Sequence, residues 1–302
     1  MPDFTAHHLL GEEVRRRLPP GGREVVSRAP SAFFWGLQGP DPLFYGGRQL
    51  SRCGSGLHQK SPEKLLRLLF LQAAHARGER REILESYLLG FLCHYAMDAR
   101  LHPYVYCMEQ RLRRVRPQKW WPSLHGEIEC RMDEQLYRLL RKKPVIRFSP
   151  DSYRLDSKTL AALCRLYQLL FYGMFGLRIA PDRIAAAFQN CLQISRLVYT
   201  APARIGRPAL ELLEYAAGWP GIFSSHVKFS KSRGGDILNL RHAAWQDFSQ
   251  PFAGHSESVP ELFEQAAKDA CSLCRVFLAA LWEGRPPLLP PLPAFDAGNF
   301  KR

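Results

Sequence analysis

The chain has 302 residues, 46% hydrophobic and 23% charged, with 42 Lys and Arg against 28 Asp and Glu for a net charge of +14. This composition excludes a disordered or fibrous chain and allows either one large helical domain or two smaller ones. The positive excess suits anionic partners such as phosphates, nucleic acid or acidic headgroups. It is scattered over residues 15–17, 77–81, 111–116 and 141–143, the pattern of solvated helix faces, and does not select among those partners.

In chain order, the first residues, MPDFTAHHLLGEEV, hold acids and no apolar core of secretory length. The expectation is therefore a cytoplasmic protein whose eight cysteines stay reduced. Asp3 or Thr5 can cap a first helix bearing Leu9, Leu10, Val14 and Leu18, with His7 in its first turn and Pro19 to Gly22 at its end. A short helix follows near 24–28. Gly39-Pro40-Asp41-Pro42 then demands a tight corner that presents Asp41. A Gly-rich piece brings His58, and Ser61-Pro62-Glu63 starts a helix with Leu65, Leu66, Leu69 and Phe70 on its core face.

A central helix is expected from Glu79 to about Leu101, ended by Pro103 because the residue before a proline avoids the helical region. It carries His94, Asp98 and His102 at four-residue spacing inside the apolar stretch 88–105. An imidazole and a carboxylate on one buried stripe are costly unless something neutralises them, and a metal ion does so. After Trp120-Trp121-Pro122, Ser123 can cap a helix with His125, Glu129 and Asp133 on one face. Asp133 reads as an orienting partner of a histidine or as half of an ion pair.

Helical patterns recur at about 157–175, 181–199, 206–217 and 256–283, and no segment alternates as a strand should. The longest apolar run, 169–177, is roughly half a membrane span, so no transmembrane segment is expected. Cys271 and Cys274 form a lone CxxC, best read as two small core residues. His75, His226, His242 and His255 read as ordinary surface or core histidines, and the Phe33–Trp35 and Trp120-Trp121 clusters mainly as core. The tail from Arg285 is a proline-rich extension expected to lie on the surface or move freely, so the domain is placed at 1–285 and the tail at 286–302.

His7, Asp41, His58, His94, Asp98, His102, His125 and Glu129 together offer five imidazoles and three carboxylates within 130 residues. That mixture suits zinc better than magnesium or calcium, and it suffices for two or three ions if a carboxylate bridges.

In order and context, MPDFTAHHLLGEEV, GLQGPDPLFY, GLH, LLGFLCHYAMDARLHPY and HGEIE resemble the zinc-dependent phospholipase C family. Related proteins include the zinc-dependent single-strand nucleases and the catalytic domain of glycosylphosphatidylinositol-specific phospholipase D. The resemblance covers residues 1–135 and is weaker beyond, with DILNLRHAAWQ at 236–246 similar to the family's second half.

It implies an all-α domain with a polynuclear zinc site between helices. Asp41, His58, His94 and Asp98 would surround one zinc, and His102, His125 and Glu129 would hold a second. Asp98 would bridge to a third, completed by His7 rather than His8 and by the chain's start. Secreted members use a processed N-terminus there, whereas this chain begins Met1-Pro2, so Pro2 after loss of Met1, or Asp3, would have to substitute. Asp41 and Glu129 are the carboxylates expected to act in the chemistry. The implied activity is hydrolysis of a phosphate ester, foremost a phospholipid met at a membrane surface. The less favoured alternatives are a single-strand nuclease or nucleotidase acting on nucleic acid, and a metal-binding relative without catalysis.

Overall fold

A computed structural model describes residues 4–59, 61–218, 220–221, 223–229, 234–250, 252–289 and 291–295. Among these residues there are eleven α-helices, and the described strands are a single two-residue antiparallel pair, Trp245–Gln246 with Gly254–His255. The chain is one all-α domain, and no helix among the described residues is long and apolar enough to cross a membrane.

The organising element is α6, Gly78–Arg113, 36 residues and so about 54 Å long at the ordinary helical rise. Every residue from Ile83 to Asp98 is buried. A helix apolar all round has to be enclosed by others. Here α1 (Phe4–Arg17), α2 (Pro20–Arg28), α3 (Pro30–Gly36), α5 (Pro62–Ala74), α7 (Trp121–Arg141), α8 (Ser157–Phe175) and α11 (Val259–Glu283) all pack on it. Phe33, Trp35, Tyr87, Phe91, Tyr167 and Phe188 fill the centre.

One crossing sets the position of the site. A Cβ at Gly36 would lie 2.3 Å from the Tyr87 carbonyl oxygen, and one at Gly90 would lie 2.1 Å from that of Phe33. With hydrogen at both positions, α3 lies directly on the backbone of α6, and the turn that follows α3 reaches His94.

Several boundaries differ from the sequence expectation. α6 does not end at Pro103 but runs ten residues further, to Arg113. A proline inside a helix costs about 3 kcal/mol through the lost N–H and a clash, but both halves of α6 are packed against other helices and tertiary contact prevails. The helix expected from about 206 likewise starts earlier and runs Ala201–Ala216 through Pro208 (α10). α7 begins at Trp121, with no side-chain cap from Ser123, whose hydroxyl donates to the Trp120 carbonyl at 2.9 Å. The Gly-rich segment before His58 is helical, as α4 (Gly47–Gln59). α9 (Pro181–Val198) completes the set. Ser61 caps α5 as expected, accepting from the Lys64 N–H.

All eight cysteines are buried thiols, and Cys271 and Cys274 lie on the core side of α11. Phe33 and Trp35 are core, whereas Phe34 is half-buried and stacks on His8. The C-terminal extension does not lie wholly on the surface. Residues 282–286 are exposed, but Phe295 is fully buried.

Candidate metal centre

The eight residues named from the sequence converge from four helices and one turn. α1 supplies His7, α4 supplies His58, α6 supplies His94, Asp98 and His102, and α7 supplies His125 and Glu129. Asp41 opens a 3-10 turn, Asp41–Tyr45, directly after Gly39-Pro40.

Gly39 is required there twice over. Its φ of +49° is in the left-handed region, and a Cβ would stand 2.3 Å from the His94 ring. The Gly39 carbonyl accepts from the Tyr167 hydroxyl at 2.6 Å, which pins the turn from the other side.

Three trios could each hold a metal ion: His58, His94 and Asp98; His102, His125 and Glu129; and His7, Asp41 and His94. Within each trio the ligand atoms lie within 4.8 Å of one another. Asp98 is the hub. Its Oδ2 faces His94 Nε2 at 3.1 Å and His58 Nε2 at 3.6 Å, and its Oδ1 faces His7 Nε2 at 3.4 Å and His102 Nε2 at 3.8 Å. Asp41 Oδ1 is 3.2 Å from His58 Nε2. Across the second trio, Glu129 Oε1 is 3.1 Å from His125 Nε2 and 3.6 Å from His102 Nε2.

The imidazoles are oriented through their other nitrogen. A carbonyl oxygen only accepts, so Nδ1 must carry the proton in His58 (to Gly54, 2.8 Å), His94 (to Leu37, 3.2 Å) and His102 (to Phe295, 2.7 Å). Nε2 then carries a lone pair, and in each ring it points at the carboxylates. Metal-ligating histidines are characteristically held this way.

Buried polar atoms without a hydrogen-bond partner gather in the same place: His7 Nδ1, both oxygens of Asp41, His94 Nε2 and Glu129 Oε2. Buried polar atoms are normally paired, and so many orphans around one point fit a cation.

Charge fits as well. Burial pulls His7 down to about 4, with His94 adding to the effect. Burial works against ionisation of Asp98, yet His94, His102 and His7 outweigh it and keep the carboxyl well below its ordinary range. Glu129 is likewise held low, burial opposing and His125 and His102 prevailing. His125 is raised despite burial, by Glu129 and Glu109. Asp98 and Glu129 are therefore anionic donors, beside a neutral His7.

Asp133 is half of an ion pair, but a buried one that also holds backbone. Fully buried, it accepts from the Thr5 and Ala6 backbone N–H groups at 2.9 and 2.8 Å and lies 3.5 Å from the buried Lys228 ammonium. It thus closes the N-terminus of α1 and sets that helix, with His7 on it, against α7. Pro2 and Asp3, named as completing a third zinc, lie outside the described residues.

Two further residues come to the site without having been named as part of it. Glu109, buried on α6, places Oε2 3.4 Å from His125 Nδ1. It lies seven residues after His102 on the same stripe, a relation that exists only because α6 continues through Pro103. His226 ends a 3-10 turn, Ser224–His226, and lies against α7 at Gly126. Its enclosure pulls it down to about 3, partly opposed by Glu129.

No family model, curated protein or solved structure matches the chain.

Proposed function

We propose that this chain is a zinc-dependent phosphoesterase, holding two or three ions and hydrolysing a phosphodiester, foremost a phospholipid or a water-soluble relative. The observation that carries the reading is Asp98, whose two oxygens face different imidazole pairs in a pocket of orphaned ligand atoms. That arrangement would suit ions held side by side, the pattern used for phosphate ester hydrolysis. The motif resemblance to the zinc-dependent phospholipase C family supports the same reading.

His58, His94, Asp98 and Asp41 would hold one ion, His102, His125 and Glu129 a second, and His7 with Asp98 a third. When bound, the ions supply an activated water and neutralise the phosphate charge. The protein's own residues do the rest. Asp41, with both oxygens free of hydrogen bonds, orients the attacking water or takes its proton. The Nδ1 hydrogen bonds of His58, His94 and His102 keep the Nε2 atoms converged before anything binds. Glu109 holds the His125 ring to Glu129. The fully buried His94 end excludes bulk water, and the side-chain exposure of 23% at His125 marks the open side.

The test is metal analysis of the intact protein together with assays on phosphatidylcholine, single-stranded DNA and a chromogenic phosphodiester. His94→Ala should lose zinc and turnover together. Unchanged zinc stoichiometry in that variant would sink the assignment. Turnover of DNA alone would move the substrate to nucleic acid, and turnover of none of the three would overturn the enzymatic reading.

A further inference from the structure

We infer that the C-terminal segment 291–295 is a working part of the metal centre, orienting His102 and limiting the space beside His58 and His94. The inference rests on the metal-centre reading above and extends it to a stretch of chain 193 residues away from its partner.

The segment is fastened at three points. The Leu292 N–H donates to Glu63 Oε1 at 2.8 Å, the Tyr95 hydroxyl donates to the Pro293 carbonyl at 2.6 Å, and the Phe295 carbonyl receives the Nδ1 proton of His102 at 2.7 Å. Tyr95 is the neighbour of His94 on α6, so the tail is tied to the helix that carries three of the ligands. Leu289 and Leu292 pack against the core on the way in.

At the end of this path, the fully buried Phe295 ring stands edge-on to Tyr95, His58 and Phe91, with centroids at 4.7, 5.6 and 6.0 Å, and 6.1 Å from His94. A loosely attached extension would not bury an aromatic ring against two histidines while giving its carbonyl to a third.

Two consequences follow. Without the carbonyl, His102 Nδ1 loses the acceptor that fixes its ring from the tail side, so affinity should fall at the His102–His125–Glu129 position and not at the other. The ring itself walls the space next to His58 and His94, so it should restrict the bulk of a substrate group placed there.

Cobalt titration followed by its electronic absorption reads each metal position without any substrate. The full-length protein is compared with a chain ending at Leu289, with Phe295→Ala and with Tyr95→Phe. The shortened chain, helical by circular dichroism, is expected to bind one cobalt about 10-fold or more weakly and the other normally. Once His102→Ala is present, the truncation should cost nothing further. Phe295→Ala should keep both affinities but shift the kcat/KM ratio of a bulky to a compact phosphodiester several-fold.

Unchanged cobalt affinities and spectrum in the shortened chain would overturn the inference. If that chain does not fold, Tyr95→Phe decides, because it retains the ring and removes only the anchor to Pro293: a selectively weakened cobalt supports the inference, and no change overturns it. A full-length protein that binds cobalt but turns over no phosphoester would remove the proposed function and leave this affinity comparison intact.

Discussion

The His58–His94–Asp98 and His102–His125–Glu129 groups use the same donor types, but the fold holds them differently. In the first, side-chain exposures are 6, 0 and 4%, and the two Nδ1 protons go to backbone carbonyls at Gly54 and Leu37. In the second, exposures rise to 8, 23 and 12%, and the orienting partners are the Phe295 carbonyl and the Glu109 carboxylate. The inner group is thus oriented by backbone carbonyls within the helical body, at Gly54 in α4 and at Leu37 after α3. The outer group depends on a distant strand of chain and a neighbouring side chain, and it faces the opening. Under the proposed function, the buried position would retain its ion and the more exposed one would meet the substrate.

That contrast can be broken most severely at Asp98, which belongs to the inner group and whose Oδ1 also faces His102 of the outer one. Asp98→Ala should abolish metal binding and turnover altogether, whereas His58→Ala should leave the outer group able to bind. Metal analysis of the two variants gives the comparison, and equal retention would deny Asp98 its bridging place.

Gly39→Ala attacks the inner group alone. It forces a side chain into a left-handed conformation and against the His94 ring. The expected loss is about 2–4 kcal/mol of stability in urea, with inner-group affinity reduced and outer-group affinity little changed.

Acidification tests the electrostatics. His7 titrates near 6.5 when exposed and near 4 in the fold, so between those values the unfolded chain binds more protons and stability rises with pH. The contribution is complete above pH 6.5 and lost as pH falls through 4. It is on the order of 3 kcal/mol. Urea midpoints of metal-free protein across that range should show the slope, and His7→Asn should reduce it, leaving the part that His226 contributes.

The smallest expected effect is at Glu109. Glu109→Gln keeps the shape but weakens the hold on His125, and outer-group affinity should fall by about 10-fold with inner affinity unmoved. Loss at both groups would mean that Glu109 supports α6 rather than one histidine.

Residues that share a helix were legible because helical spacing alone places them together. His94, Asp98 and His102 needed only a four-residue period, and so did His125 and Glu129. Asp41 was legible because a Gly-Pro corner leaves the backbone little choice. Glu109 was hidden by Pro103, since local preference ends the helix where tertiary packing continues it. Asp133 announced a charge on the right face, but only the approach of α1 showed that the charge meets two backbone N–H groups. The Phe295 carbonyl left no trace at all, because a backbone acceptor looks the same at every residue.

Composition and periodicity by themselves determined that this chain is helical and which polar side chains are carried into its apolar interior, since both follow from local spacing and the cost of burying charge. The tertiary structure decided how those side chains are grouped, which nitrogen of each histidine is free, and that the proline-rich end returns to the site. These depend on contacts between segments up to 229 residues apart, and no local preference encodes such contacts.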